Sequence, residues 1–268
     1  GRHRASGGTT ETEYTDFITR HIEPIVKNLV PGGNVVLSVS PDIFEEGSPS
    51  QSLYLERLTL ALCDRVGLRL MNRIVWTSNK APGPVEWAAK RRVQLHSGYE
   101  YLLWFCNEPL KCLADNRREL EPHTERHLKF VSSGGVKQAR VNSDGAHRQV
   151  VGAYSNPTAG KIMRNVVNVP NTCASQREYK RRARELGLEA HGAPMPLKLA
   201  QKLIRFMTAA EQLVVDPFGG SMTTGLAAEK EGRRWASTEL VYDYVRGAAE
   251  RFTGNSDSDV EINLPVVV

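Results

Sequence analysis

The amino-acid sequence predicts an α/β fold, a doubly wound, mostly parallel Rossmann-like sheet with an inserted, loop-rich region. Three observations favour this class. Apolar runs of strand length alternate with segments of helical periodicity. A strand, a glycine turn, a helix and a second strand follow one another over residues 213–239. The 268 residues are 40% apolar and 24% charged, which is the composition of one large globular domain, with or without an insertion.

The first part of the chain predicts two helices and three strands. Apolar residues at helical spacing predict a helix over residues 14–29, and a β-branched run over 34–39 predicts a buried strand. A second helix is expected over residues 53–66. Two further strands are expected over residues 68–77 and 99–106. This order corresponds to the later half of a doubly wound sheet.

The middle of the chain, from residue 107 to about residue 190, has little periodicity, and only residues 177–187 predict a helix. A run of that length without regular structure is uncommon in a compact domain unless it has a function. Positive charge is concentrated here, because residues 111–190 hold 15 Lys/Arg against 8 Asp/Glu in a chain with net charge +5. The segment is therefore predicted to be an insertion that binds a polyanion.

The last part of the chain is organised around the segment Asp216-Pro-Phe-Gly-Gly-Ser-Met-Thr-Thr-Gly225. A helix is expected over residues 197–207, followed by a buried parallel strand over 213–215. The glycines after Asp216 allow a tight turn, and Ser221 is placed to cap a helix over residues 223–230. A strand that ends on Glu239, a helix over 241–252 and a short edge strand over 261–268 complete the chain.

The chemistry of the glycine turn indicates a ligand with a positively charged group. A dinucleotide site would show G-x-G-x-x-G, whereas this turn offers only Gly219, Gly220 and Gly225. The carboxylate of Asp216 would repel a pyrophosphate but suits an ammonium group. Glu239, 19 residues after Gly220, is placed to accept hydrogen bonds from ribose hydroxyls. A nicotinamide oxidoreductase would share this crevice and stays open as an alternative.

The cysteines, the histidines and the apolar runs exclude several classes of protein. The four cysteines show no C-x-x-C pair and no zinc spacing, which predicts reduced thiols and a cytoplasmic protein. His123 and His127 lie four residues apart, but no third ligand accompanies them, so no metal site is predicted. No cysteine follows a proline, which leaves no candidate for a Pro-Cys nucleophile. No apolar run is long enough to cross a membrane, and no signal peptide is visible.

The segment from Asp216 to Gly225 resembles the D-P-F-x-G-[ST]-x-T-T motif of the β-group of DNA amino-methyltransferases. The run Pro-Gly-Pro-Val-Glu-Trp at residues 82–87, followed by Lys90 and Arg91, is also similar to that family, as are residues 14–33, 103–105 and 191–252. The resemblance implies a restriction-modification enzyme of a bacterial or phage cytoplasm. It would move a methyl group from S-adenosyl-L-methionine to the N4 amine of cytosine, slightly favoured, or the N6 amine of adenine, in a base flipped out of double-stranded DNA.

The resemblance also implies regions and residue roles. Residues 1–108 would form the catalytic half of the sheet, 109–190 the target-recognition insertion and 191–268 the half that binds S-adenosyl-L-methionine. A homodimer is possible. The cofactor-binding candidates are His191, Pro196, Asp216, Phe218, Gly219, Gly220, Ser221, Thr223, Thr224 and Glu239. The DNA-binding candidates are Lys90, Arg91, Arg92, Lys161, Arg164, Asn165, Asn168, Lys180, Arg181, Arg182 and Arg184.

The sequence departs from the family at the catalytic tetrapeptide, Ser/Asp-Pro-Pro-aromatic, which should lie on a strand before the first helix. No Pro-Pro occurs in the 268 residues, so we expect the tetrapeptide upstream of Gly1; Ser40, followed by a single proline, is a weak candidate. Two alternatives stay open beside the enzyme. One is a catalytically incomplete DNA-binding module, if residue 1 is the true start, and the other is an RNA or small-molecule methyltransferase.

Overall fold

The computed structural model describes residues 10–79, 85–141, 145 and 147–252. Residues 82–84 of the family-like run and the edge strand expected over 261–268 lie outside this part of the chain. The chain forms two compact units. Unit 1 comprises the residues up to 114 and those from 165 onward, and unit 2 comprises residues 115–164. The functional division at residues 108 and 190 stays a prediction.

The first part of unit 1 is a four-stranded sheet covered by two helices. The helices are α1 (Glu11–Lys27), which begins at a capping box between Thr10 and Glu13, and α2 (Tyr54–Asp64). The strands are β1 (Asn34–Val39), β2 (Arg69–Thr77), β3 (Tyr99–Cys106) and β8 (Val166–Asn168), in the order β1-β3-β2-β8. All the helices and strands predicted before residue 107 are present, within a few residues of their expected bounds.

Strand directions in this sheet are mixed. β3 runs antiparallel to both β1 and β2, and β8 runs parallel to β2. The α/β architecture agrees with the prediction, but this sheet is not mostly parallel. Apolar side chains of α1 and α2 pack on one face of the sheet in a core that includes Ile18, Ile22, Leu58, Leu62, Leu103 and Phe105.

The second part of unit 1 contains the glycine turn. Its elements are α5 (Leu197–Met207), β9 (Leu213–Asp216), α6 (Thr223–Lys230), β10 (Arg234–Ser237) and α7 (Tyr242–Ala249). β9 and β10 pair in parallel, as predicted. The prediction that β9 is buried is wrong for Leu213 and Val215, which are 52% and 45% exposed. The reason is that α5 and α6 cover only the other face, where Val214 packs against their alanines.

Two close contacts position the elements around the turn. A Cβ on Gly225 of α6 would lie 2.6 Å from the indole of Trp235, so this glycine lets α6 lie directly on β10. The amide of Asn34 donates to the Met207 carbonyl at 3.0 Å, and its side-chain oxygen accepts from Trp104 at 2.8 Å. These bonds join the edge strand β1 to the end of α5.

Helix α4 (Ala174–Glu185) belongs to unit 1, because it packs against α7 around the fully buried Tyr179 and Ala183. Unit 2 holds α3 (Glu125–Ser132), which the periodicity did not predict. α3 is only eight residues long and is started by Thr124, whose hydroxyl accepts the His127 N–H at 3.3 Å. None of the helices in the described ranges is long and apolar enough to cross a membrane.

Unit 2 also holds two short antiparallel ribbons. In one, β4 (Leu120–Glu121) pairs with β7 (Lys161–Ile162), and in the other β5 (Arg140–Val141) pairs with β6 (Arg148–Gln149). Each strand has only two residues, too few to give a periodic signal in the sequence.

Candidate functional site

The candidate site is the crevice at the carboxyl ends of β9 and β10. The backbone N–H of Thr238 donates to the Asp216 carbonyl at 3.0 Å, and the N–H of Gly219 donates to the Thr238 carbonyl at 2.9 Å. The turn after β9 is thereby held against the segment that follows β10. This is the edge of a parallel α/β sheet at which ligands bind.

Two carboxylates flank the turn. Asp216 accepts the Phe218 N–H at 3.0 Å with one oxygen and the Thr224 hydroxyl at 2.6 Å with the other. Glu239 accepts the Gly220 N–H at 2.7 Å, and its second oxygen accepts two further backbone N–H groups, at 2.9 and 3.0 Å. Each carboxylate therefore orders the turn and keeps lone pairs for a ligand.

The two glycines of the turn are required by their surroundings. A Cβ on Gly219 would collide with the hydroxyl of Ser237. Gly220 has a φ of +51°, and a Cβ there would lie 3.2 Å from the imidazole of His191. The structure thus brings His191, a cofactor-binding candidate from the sequence, directly against the turn.

Ser221 and Thr223 face the interior rather than the crevice. Both are 3% exposed, and their hydroxyls lie 3.0 Å apart. The prediction that Ser221 caps α6 is wrong, because Met222, in a left-handed conformation with φ 53°, occupies the cap position without a side-chain hydrogen bond. These two hydroxyls hold the turn from behind.

Both residues are bound by Arg251, which follows α7. Its guanidinium donates to the Ser221 carbonyl at 2.6 Å, to the Thr223 hydroxyl at 2.9 Å and to the hydroxyl of Ser175 at 2.7 Å. It also lies 5.6 Å from the ring centre of Tyr179. Burial lowers the pKa of Arg251 to about 10. Sequence reasoning missed Arg251, because a lone arginine near a helix end is normally at the surface.

Tyr179 connects this arginine to His191. Its hydroxyl accepts the His191 backbone N–H at 2.9 Å, and burial raises the pKa of Tyr179. The His191 ring lies edge-on to Tyr244, with ring centres 5.2 Å apart. Pro196 is fully buried at the start of α5. No signal in the sequence marks Tyr179, because it lies within a basic helix whose cations are predicted to bind DNA.

Phe218 forms the outer wall of the crevice. Its side chain is 43% exposed, and its ring centre lies 6.1 Å from that of Phe17 and 6.0 Å from that of His21, both on α1. An aromatic surface is thus available beside the turn for a planar group.

Many DNA-binding candidates already have carboxylate partners. Lys90 and Arg91 pair with Glu86, and Lys161 pairs with Glu121. On α4, Arg181 binds Glu178 and Glu185, Arg182 binds Glu178 at 3.0 Å, and Lys180 donates to the Gly192 carbonyl at 2.9 Å.

Other candidates are exposed or belong to the sheet. Arg92, Arg164 and Arg184 are exposed and have no ion pair with any described residue. The carbonyl of Asn165 accepts the Val75 N–H at 2.8 Å, and Asn168 lies on β8 with its side chain exposed.

Ser40 lies at the carboxyl end of β1. Its hydroxyl accepts the Asp42 N–H at 3.2 Å, and its carbonyl accepts the hydroxyl of Tyr54. Burial raises the pKa of Tyr54. Within the described ranges, no hydrogen bond joins Ser40 to the glycine turn, and no cluster of three or more His, Cys, Asp or Glu side chains could hold a metal ion.

Comparisons with known proteins give a consistent result. A family model described as DNA methylase, N6_N4_Mtase, matches residues 2–250. The type II methyltransferase M.PvuII of Proteus hauseri is 30% identical over 262 residues, which are 97% of this chain and 77% of that protein. M.ScaI of Streptomyces caespitosus is 24% identical over 159 residues, 59% of this chain and 44% of that protein.

Solved structures give the same picture. The PvuII DNA methyltransferase, described as cytosine-N4-specific, superposes with a TM-score of 0.70 at 28% identity, covering 96% of this chain and 77% of that chain. A DNA modification methylase from Thermus thermophilus gives a TM-score of 0.54 at 21% identity, covering 90% of this chain and 79% of that chain, and shows a common fold.

Proposed function

This chain belongs to the N6/N4 DNA methylase family, and from that membership we propose which base it methylates and which residues hold its methyl donor. The protein is a DNA amino-methyltransferase that depends on S-adenosyl-L-methionine. The match to M.PvuII extends over 97% of this chain, and the solved PvuII DNA methyltransferase is described as cytosine-N4-specific. We therefore propose cytosine N4 as the target here as well. The observation that supports the cofactor site most directly is the pair of carboxylates that flank the glycine turn.

The residues of the crevice suit S-adenosyl-L-methionine. That molecule is positively charged at its ammonium and sulfonium groups, and Asp216 supplies a carboxylate at the end of β9 that can pair with the ammonium group. Glu239, two residues after the neighbouring strand β10, has acceptor capacity for ribose hydroxyls. Phe218 offers an exposed aromatic face, and Gly219 and Gly220 let the turn between the two carboxylates pack tightly against Ser237 and His191. When bound, the cofactor supplies an electrophilic methyl group.

Calorimetric titration of S-adenosyl-L-methionine tests this assignment. Asp216→Asn and Glu239→Gln should each weaken binding by about 10- to 100-fold, the effect of losing a hydrogen bond to a charged group. Glu211→Gln is a matched control, because Glu211 is an exposed carboxylate at the opposite end of β9. Undiminished binding by both site variants would rule out this location.

The target base is tested by its product. Duplex DNA incubated with the protein and labelled S-adenosyl-L-methionine, then digested to nucleosides, should contain N4-methylcytosine. N6-methyladenine would reassign the base, and label in RNA but not in DNA would support an RNA methyltransferase. A basic unit is the feature that favours DNA, since residues 115–164 hold 9 Lys/Arg against 5 Asp/Glu.

The protein's contribution to the reaction is positioning. The exocyclic amine is a weak nucleophile because its lone pair is delocalised into the ring, and the base must leave the stack before it can be approached. Ser40 stays the candidate in this sequence for accepting a hydrogen bond from that amine. If it has this role, Ser40→Ala should keep the affinity for S-adenosyl-L-methionine and lose methyl transfer.

We propose that double-stranded DNA is held first by the exposed arginines without carboxylate partners, Arg92, Arg164 and Arg184. The paired cations can join them, because exposed ion pairs contribute only about 0–1 kcal/mol and a phosphate can replace the carboxylate. The relatives are bacterial methyltransferases, and the bacterial cytoplasm, where the DNA is, is the proposed location. A homodimer remains a proposal, for which a sedimentation measurement is the test.

A further inference from the structure

Unit 2 contains a cavity of about 610 Å³ that no prediction from the sequence included. Its walls include the aromatic rings of Phe130 and Tyr154, the cations Lys137 and Arg140, and the amides Gln138 and Gln149, beside His127 and Val136. The volume is in the range of sites that accept a small molecule or one nucleotide unit. Aromatic, cationic and amide groups together are the set that contacts bases and phosphates.

The walls of this cavity are held by backbone hydrogen bonds. The N–H of Val136 donates to the Ala153 carbonyl at 3.0 Å, and the N–H of Gly152 donates to the Val136 carbonyl at 2.8 Å. Gly135, with φ +71°, lies so close to this crossing that a Cβ would collide with the Ala153 carbonyl. The segment that carries Lys137 is therefore fixed against the segment that carries Tyr154.

The third wall is the two-stranded ribbon of β5 and β6. Arg140 and Gln149 are directly paired across it, so their side chains leave the same face. A two-stranded ribbon is narrow enough to enter the major groove of B-DNA. Arginine there binds the edge of guanine, and glutamine binds the edge of adenine, each through two hydrogen bonds.

The charge around the cavity also matches DNA. Among the residues that the structure describes, no carboxylate lines it, and the carboxylates of Asp115 and Glu121 in this unit are paired with Arg117 and Lys161. The side chain of Lys137 donates a hydrogen bond to a neutral group, the Ser133 carbonyl, rather than to a carboxylate. The cavity is thus an electropositive recess beside a ribbon that carries base-reading side chains.

We propose that this recess binds double-stranded DNA in a sequence-specific way. Arg140 and Gln149 read base edges in the major groove, and Lys137 and the aromatic pair hold the adjacent sugar-phosphate. The inference rests on the proposed function, since the partner is the DNA substrate. In this proposal the base-reading residues are Arg140 and Gln149 rather than Lys161, Asn165 and Asn168. Lys161 is paired with Glu121, and the two asparagines belong to unit 1.

The test is selection of bound duplexes from a pool with randomised central base pairs, using the full 268-residue chain and its variants. Arg140→Ala should lose preference at one base pair and bind the selected duplex about 10-fold or more weakly. Gln149→Ala should change the preference at another position. Because Gln149 is uncharged, the slope of log affinity against log salt should stay that of the unmodified chain.

Arg126→Ala is the matched control, an exposed arginine of the same unit that does not line the cavity. It should leave the selected sequence unchanged. If Arg140→Ala and Arg126→Ala lose the same affinity and keep the same selected sequence, or if Gln149→Ala changes nothing, the inference is overturned. Calorimetry with S-adenosyl-L-methionine separates this failure from that of the proposed function: retained cofactor binding and methyl transfer by the unmodified chain would leave the enzyme assignment standing.

Discussion

Replacing Arg251 with methionine should loosen the glycine turn without touching the crevice itself. Arg251 binds the backbone of Ser221 and the hydroxyl of Thr223 from the interior, and it also binds the hydroxyl of Ser175 in the first turn of α4. Methionine keeps much of the side-chain volume but removes the three hydrogen bonds. The Ser221 carbonyl then loses its partner in a buried position.

The magnitude follows from two opposing contributions. Hydrogen bonds to a charged group contribute about 1.5–3 kcal/mol each, or roughly 6 kcal/mol for the three. Burial lowers the pKa of Arg251 to about 10, and a displacement of this size corresponds to a cost of about 3 kcal/mol for keeping the charge inside. We therefore expect Arg251→Met to lower the free energy of unfolding by about 3 kcal/mol.

Two measurements on the same variant separate a loosened turn from a general loss of stability. Thermal unfolding should show a Tm lower by about 5–10 °C. Calorimetry at a temperature where the variant is folded should show S-adenosyl-L-methionine binding about 10-fold weaker, because the competent turn is populated less. Arg246→Met is the control: its ion pair with Glu250, also in the α7 region, is partly exposed to solvent and should contribute about 1 kcal/mol or less.

One result would refute the reasoning about position. If Arg251→Met lowers the Tm as expected but binds the cofactor within about twofold of the unmodified protein, Arg251 stabilises the fold and does not order the turn. If its Tm equals that of Arg246→Met, the three hydrogen bonds contribute nothing net.

Further predictions follow from other contacts. Hydrogen bonding to the Ser52 hydroxyl lowers the pKa of Glu11, so this carboxylate stabilises the fold above its unfolded pKa and loses that effect as pH falls through its folded pKa. Glu11→Gln should cost about 1 kcal/mol in urea unfolding at pH 7, and the difference should shrink as the pH falls below the unfolded pKa and through the lower folded pKa of Glu11. Gly225→Ala should destabilise the protein by about 1–3 kcal/mol in the same assay, because α6 must move off the indole beneath it. In duplex binding titrations Arg182→Ala should weaken cognate and scrambled DNA equally, whereas Arg164→Ala should reduce the preference for the cognate duplex; equal losses from both would contradict this distinction.

The local elements of this fold were largely predictable from the sequence, because their signals are local. α5 has the predicted bounds, and the turn between Asp216 and Glu239 has the expected layout, since strand runs, glycines and helical periodicity each lie within a few residues. α3 was not predicted, because a helix of only eight residues gives too weak a periodic signal in the sequence.

The parts that could not be predicted depend on pairing between distant residues. β3 runs antiparallel to β1 and β2, where its residues pair with Leu37 and Ile74. The periodicity of a strand does not show which strands it will pair with or in which direction. Burial of Arg251 depends on α4, more than 60 residues earlier in the chain. Likewise, Arg140 and Gln149 had no distinguishing signal as separate residues, and only the ribbon brings them to one face.

The narrow sheet of β9 and β10 has a practical consequence for handling the protein. Among the described strands β9 pairs only with β10, and its outer face presents Leu213 and Val215 to solvent. The other edge of β9 has no strand partner among the described residues, and an unpaired strand edge beside exposed apolar side chains can recruit an extended segment from a neighbouring molecule. Concentrated solutions should therefore scatter light increasingly with time, and Val215→Lys should keep them clear.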